Sequence, residues 1–288
     1  MKTTSRGTRK FLDGIQYAFV GISAFICVFA LFYILYFVLS RGLAYVDWNF
    51  LTSTYSPSNP DSGILPMIIG TLYIVGVSLL IATPISILSA IYLNEYAKDT
   101  AVTKVIRFAI DGLVSVPSIV YGLFGFSAFV TIMGLRYSVI SGALTLSIMI
   151  LPILIKTIEE ALKTIPNDLR EASYGVGASK VQTIFKIIIP SCASNIISAI
   201  ILGMGRIISE SAPLILTCGM SYKIPTSIFS GTRTLTTHLY YLVSEGIGET
   251  ATQQAYATAS VLVIIIIVLN LLTKLIGAKF SKKVGKAT

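Results

Sequence analysis

The sequence predicts an all-α membrane protein with six transmembrane helices. Three observations carry that prediction. Of 288 residues, 54% are hydrophobic and only 12% are charged, about half the charge of a soluble domain. The mean hydropathy is +0.81. The apolar residues gather into runs long enough to cross a bilayer, which takes roughly 20 residues of helix. The net charge of +9 does not point to nucleic acid, because the basic residues lie between apolar runs rather than clustering on a soluble face.

Six runs meet the length requirement, at about 15–40, 64–93, 108–133, 138–158, 187–217 and 254–276. The first follows Lys2, Arg6, Arg9 and Lys10, as the core of a signal peptide would. Its apolar stretch from Ile15 to Leu39 is longer than a typical signal core, and no small-residue cleavage site follows, so it reads as a retained span. Lys and Arg then orient the chain. With the N-terminus inside, the cytoplasmic segments hold 17 of the 22 basic residues: four at the N-terminus, three in 94–107, five in 156–186 and five in 274–286. The outer segments hold Arg41, Arg136, Lys223 and Arg233, and Arg206 falls inside a span. Both termini are therefore expected in the cytoplasm, with residues 1–40 forming the N-terminus and first span and 278–288 a basic tail.

The outer segments are 41–63 and about 218–252. The first has turn chemistry in Pro57, Asn59, Pro60, Asp61, Ser62 and Gly63. The second contains HLYYLVSEG (238–246), which reads as a short interfacial helix with Tyr240 and Tyr241 at headgroup level. Cys27, Cys192 and Cys218 form no CxxC pair and read as small core or lipid-facing residues. With His238 the only histidine, neither a metal site nor a catalytic set is expected.

The polar stretch IPNDLREASYGVGASK (165–180) stands out in this apolar chain. Asp168 is a candidate N-cap, with Glu171 three residues on completing a capping box. Both acids suit the positive end of a helix dipole. Gly175 and Gly177 permit a turn, and a second helix can start at Ser179 and enter the membrane. The product is a helix, a bend and a span: a compact polar knob beside the bilayer. From the residues alone, an ordinary connecting loop is the default reading. A nucleotide site is not expected, because no GxxxxGK[ST] occurs and no strand precedes the glycines.

Charge inside a span is the second unusual feature. Burying one costs about 2.5–3.5 kcal/mol on insertion scales. Arg206 and Glu210 lie four apart, so on a helix they share a face. Asn195, Ala199, Gly203, Arg206, Glu210, Pro213 and Thr217 recur at spacings of three or four, opposite Ile197, Ile200, Ile201, Met204, Ile207 and Ile208. The pair either locks helices together or serves a pathway. In the second reading Arg206 meets an anion through its planar fork, and Glu210 orients it. SVPSIVYGLFG (115–125) is the other irregular span segment. Pro117 breaks the backbone ladder, and Ser115, Ser118, Gly122 and Gly125 make a small face. Packing is its default role, as it is for Ser138, Ser141 and Thr145. Ser118 and Tyr121 are also candidate pathway residues.

Residues 171–190, EASYGVGASKVQTIFKIIIP, resemble the EAA loop of ABC-importer permeases. That motif reads Glu-Ala-Ala, three residues, Gly, nine residues, Ile-x-Leu-Pro. This chain supplies Glu171, Ala172, Ser173, Gly177, Ile187 and Ile189-Pro190, with Ser173 for Ala and Ile189 for Leu. Further stretches resemble phosphate-transport permeases of the PstA type: SGILPMIIGTLYIV (62–75), SVPSIVYGLFG, LPILIKTIEEALKTIPNDLREAS (151–173), GRIISESAPLILTCG (205–219) and HLYYLVSEG. The related PstC-type permeases share several of them, and HLYYLVSEG favours the former.

The resemblance implies a type I ABC-importer permease fold over 64–277 with a coupling segment at 166–190, in a bacterial or archaeal cell membrane. It implies coupling to ATPase subunits through Asp168, Arg170, Glu171, Ala172, Gly175 and Gly177, and an anion pathway through Arg206 and Glu210. The implied partners are a PstC-like second permease, two PstB-like ATP-binding subunits and a PstS-like extracytoplasmic phosphate-binding protein. ATP and magnesium would be bound by the ATPase subunits, leaving no cofactor on this chain and no enzymatic activity of its own. Residues 168–180 would pass motor motion to the third, fourth and fifth spans, giving alternating access. Permeases for sulfate or molybdate share this logic. A secondary transporter would often show an internal repeat, and an enzyme would need a convergent catalytic set; neither is found.

Overall fold

A computed structural model describes residues 6–57, 59 and 62–284, with side chains described for 13–57, 59 and 62–275. Pro60 and Asp61 lie outside those ranges, as do the side chains of Arg6, Arg9, Lys10 and the basic residues of the tail. Among the described residues the chain is helical with no strand. The principal helices are α1 (Arg6–Gly42), α2 (Trp48–Thr52), α3 (Leu65–Ile91), α4 (Ala101–Val114), α5 (Ser118–Gly125), α6 (Val139–Lys163), α7 (Asn167–Gly175), α8 (Lys180–Ser191), α9 (Ala193–Ser209), α10 (Ala212–Thr217), α11 (Leu235–Ser244) and α12 (Gly248–Val284).

α6 is the centre of the bundle. Leu146, Ile150, Leu154, Ile158 and Leu162 recur every four residues and are fully buried, so one continuous stripe of the helix faces its neighbours. α3 packs along it. Ser147 Oγ donates to the Ser78 carbonyl at 3.1 Å and Ser78 Oγ to the Ala143 carbonyl at 3.4 Å. The small residues at this contact let the two backbones approach and still satisfy their hydroxyls. Ser138, Ser141 and Thr145 are buried and bonded within the same helix or its entry turn, in agreement with their packing assignment.

Among the described residues, four stretches are long and apolar enough to cross a membrane: Asp13–Tyr45, Leu65–Tyr96, Val139–Lys163 and Gly248–Leu275. They fall on the first, second, fourth and sixth expected spans. The other two expected spans are not single helices. In place of 108–133 stand Ala101–Val114 and Ser118–Ile132, bent by 100°. Pro117 is the cause: it cannot continue the hydrogen-bond ladder, and it caps α5 with an extended ψ of 138°. In place of 187–217 stand Lys180–Ser191 and Ala193–Ser209, bent by 68°, and α10 is a separate helix. The break after Ser209 puts Glu210 in an extended conformation (φ −80°, ψ 131°), and Pro213 sits in the first turn of α10, where its missing N–H costs nothing.

The loops and ends fix the layout. α1 leans on α12 only near its C-terminal end, where Ser260 Oγ donates to the Val38 carbonyl at 3.1 Å, and Arg41 lies 4.4 Å from the Phe37 ring centre. α3 runs between two clusters. Near its start, Thr71 Oγ accepts from the Leu235 backbone N–H of α11 at 3.0 Å. Past its end, Glu95 meets the knob that carries α7. At 1.5 Å per residue the stretch from Thr71 to Glu95 separates them by about 36 Å, so α11 and α7 mark opposite ends of the bundle.

Candidate coupling and translocation site

The knob forms largely as its glycines and caps dictate, with one correction. Asp168 is not the N-cap. Pro166 occupies that position without a side-chain bond, and Asn167 opens the helix, because a proline whose own N–H is absent suits a helix entry. Asp168 remains in the first turn, where its charge suits the dipole. The capping box lies eleven residues further on: Ser179 Oγ accepts from the Gln182 N–H while Gln182 accepts from the Ser179 N–H. Gly177 takes φ +85°, which L side chains resist, whereas Gly175 ends α7 in ordinary helical geometry with open space around its Cα.

The six candidate coupling residues divide in two. Asp168, Glu171, Ala172, Gly175 and Gly177 are exposed, together with Leu169, Tyr174 and Val176. Val176 is 87% exposed, an apolar residue at the tip of a polar knob. Arg170 turns inward. Its Nη2 lies 2.7 Å from Glu95 Oε1, its Nε lies 3.3 and 3.4 Å from the two Glu95 oxygens, and its Nη1 donates to the Ile165 carbonyl at 2.8 Å. Ser173, one turn on, is buried and shares a 2.8 Å hydroxyl contact with Thr183 of α8. The inward stripe anchors the knob and the outward stripe is left for a partner.

At the broken fifth span, Arg206 Nη2 lies 3.7 Å from Glu210 Oε1, with side chains 40% and 14% exposed. Arg206 Nε makes no hydrogen bond among the described residues. The Glu210 carbonyl accepts from Thr236 Oγ of α11 at 3.0 Å. Arg206 also lies within electrostatic range of Tyr121, whose buried hydroxyl donates to the Leu113 carbonyl at 2.8 Å. Gly122 faces Pro213, with space for no side chain: an added Cβ would sit 2.8 Å from the Pro213 Cα. Thus α5 packs on α10 next to the charged pair, bringing Arg206, Glu210 and Tyr121 into one region. Half-buried Ser118 lies one turn earlier on α5.

The expected small, polar stripe of the fifth span splits. Ala199 and Gly203 are buried, Gly203 against Leu154 of α6, so they serve packing. The open face carries Ser191, Ser194, Asn195, Ser198, Leu202 and Ser209. Sequence periodicity favoured the first face because the serines alternate with aliphatics. The serines could have been read as a stripe of their own at three- and four-residue spacing. Ser191 and Ser198 donate to carbonyls four residues back, at 2.7 and 2.9 Å, which lowers the cost of an apolar surrounding.

A buried polar cluster lies beside the start of α3. Arg233 Nη1 lies 3.3 Å from His238 Nδ1, and Arg233 Nη2 donates to the Met220 carbonyl at 3.1 Å. Since Arg only donates, Nδ1 accepts and the imidazole is neutral with its proton on Nε2. Burial, then the Arg233 charge, pushes His238 down to about 3. Burial also lowers Arg233 and raises Tyr55. Tyr241 stacks 4.2 Å from the Arg233 guanidinium. The cluster ties residues 218–234 to α11, and it buries His238 although the helix reads as amphipathic.

Comparison with known proteins places the chain. Residues 82–286 match the family described as "Binding-protein-dependent transport system inner membrane component". The chain is 32% identical to the probable ABC transporter permease protein YqgI of Bacillus subtilis, over 96% of this chain and 98% of that one. It is 31% identical to the phosphate transport system permease protein PstA of Pasteurella multocida, over 98% of this chain and 100% of that one. It is 30% identical to PstA 1 of Mycobacterium tuberculosis H37Rv, over 93% and 88%. Among solved structures it superposes on a chain of a bacterial alginate ABC transporter in complex with its alginate-bound periplasmic protein (TM-score 0.60, 18% identity, 96% and 97% coverage). It also superposes on the inward-facing methionine transporter MetNI (TM-score 0.54, 17% identity, 77% and 94%). At these identities the two structures speak for the fold alone.

Proposed function

The chain belongs to the family of binding-protein-dependent transport inner-membrane components, and we propose that it is the permease subunit of an ATP-driven inorganic phosphate importer. The full-length similarity to phosphate-transport permeases is the observation that carries the substrate. The Arg206 guanidinium at a helix break, in a long 3.7 Å pair with Glu210, supports it, because a planar cation suits an oxyanion.

Two such permeases would stand side by side and form the path between them. Two ATP-binding subunits would dock on the exposed face of α7, and a binding protein would deliver the anion at the end marked by α11. Both chain termini would lie on the side of α7. In the outward-open state Arg206 receives phosphate, with Glu210 holding the guanidinium until the anion arrives. The exposed serine face of α9 lines the route. ATP and its magnesium belong to the ATPase subunits, whose approach and separation move α7.

Competition decides the substrate. Uptake of labelled phosphate by the complete complex is expected to resist excess sulfate and molybdate. Uptake that either oxyanion abolishes, or that proceeds without ATPase subunits, would replace this reading with another oxyanion permease or a gradient-driven transporter.

A further inference from the structure

Glu95 lies in YLNEY (92–96), a stretch no motif covers, yet it gathers more long-range polar contacts than any residue of the knob. The chain leaves α3 through a wide turn in which the Ala97 N–H reaches back five residues to the Tyr92 carbonyl at 2.8 Å. Turns of this width occur at helix C-termini. It swings Glu95 inward, to 6% side-chain exposure.

Three elements converge there. Arg170 of α7 grips both Glu95 oxygens. Lys180, at the start of α8, donates to the Glu95 main-chain carbonyl and lies 4.4 Å from the Tyr96 ring centre. Arg107 of α4 donates to the Leu93 carbonyl at 3.0 Å and pairs with Glu159 of α6 at 2.9 Å. Glu159 also pairs with Lys163 at 2.8 Å. Onward from α4, the Leu113 carbonyl holds the Tyr121 hydroxyl beside Arg206.

We propose that Glu95 is the positioning residue that converts movement of the coupling helix into movement of α3 and α4, through its buried pair with Arg170. This rests on the reading of α7 as the ATPase docking helix. A displaced α7 carries Arg170 with it, and a desolvated charged pair resists separation because each partner alone would be stranded. The load therefore passes to the turn at 92–96, then through Leu93 and Arg107 to α4, and through Leu113 and Tyr121 toward the charged break at Arg206. Lys180 and the Ser173–Thr183 contact keep α7 and α8 moving as one piece.

The test uses the complete complex in proteoliposomes, with partner permease, ATPase subunits and phosphate-binding protein. Glu95→Gln keeps shape and one acceptor oxygen but removes the charge. It is expected to retain the ATPase subunits while phosphate moved per ATP falls at least about tenfold, and Glu95→Asp is expected to restore part of that ratio. An unchanged ratio in Glu95→Gln overturns the proposal. Loss of the ATPase subunits from Glu95→Gln overturns it too, since Glu95 would then only hold the knob in shape. Ala172→Arg, on the exposed face, serves as the control: normal subunit retention and uptake there removes the docking reading itself.

Discussion

Arg170 and Glu95 stand 75 residues apart in the sequence and meet at 2.7 Å, with side chains 14% and 6% exposed. The arginine sits next to the Glu-Ala pair of the knob, where sequence alone makes it one more docking residue. The structure turns it into the bolt that fixes the knob to the bundle. The face opposite, Asp168, Glu171, Ala172 and Gly175, stays open.

That division gives the first prediction. Glu171→Lys or Ala172→Arg should leave membrane insertion intact and reduce both ATPase-subunit retention and binding-protein-stimulated hydrolysis. A loss of about tenfold corresponds to about 1.4 kcal/mol. Co-purification and ATPase assays on the reconstituted complex read it directly.

The two knob glycines should behave differently. Gly175→Ala meets no atom within 4 Å of its own chain and needs no unusual φ, so thermal stability should match the parent. Gly177→Val forces a branched side chain into φ +85°, at a cost of about 1–2 kcal/mol. Thermal unfolding in detergent and proteolysis of the 176–179 turn should both report the loss.

Close approach at the charged break predicts a steric effect. Gly122→Val would push into the Pro213 backbone, which cannot yield as a side-chain tip can. It should lower the yield of folded protein, with overpacking costing about 1–3 kcal/mol. Gly205→Ala, four residues before Ser209 and free of neighbours within 4 Å, should be tolerated. Size-exclusion profiles of the two variants give the comparison.

His238 predicts a pH dependence. Its folded value of about 3 lies below the unfolded 6.5, so between these limits the unfolded chain binds more protons. The stabilisation from the neutral ring is complete above pH 6.5 and is lost as the pH falls toward 3. The slope from this group approaches about 1.4 kcal/mol per unit. Melting temperatures between pH 7.5 and 5 should fall for the native protein and fall less for His238→Gln.

Much of this was legible in the residues. Apolar length identified the spans at 64–93 and 138–158, and the Ser179 helix start is a local hydrogen-bond choice that sequence reveals. The breaks were harder. Pro117 announced a disruption but not its 100° angle or the α4–α6 packing beside it, where Arg107 pairs with Glu159 and Lys156 with Asp111. Those are long-range pairs with no periodic signature. Glu210 suits a helix by its i,i+4 spacing from Arg206, but Pro213 has no N–H for the Ser209 carbonyl, so the helix ends before Glu210. Asp168 lost its cap role to Pro166 for a local reason that was available: a proline beside a capping candidate competes for the helix entry. Glu95 carried no signal, because its meaning lies entirely in residues 75 and 85 positions away.

The account is tested most directly by ATP-dependent uptake of labelled phosphate into proteoliposomes holding this chain with its partner permease, ATPase subunits and binding protein, compared with the Arg206→Gln complex. It predicts uptake by the native complex that exceeds the variant at least about tenfold, about 1.4 kcal/mol, with both complexes fully assembled. An assembled native complex that moves no phosphate, or a variant that moves it at the native rate, would contradict the account.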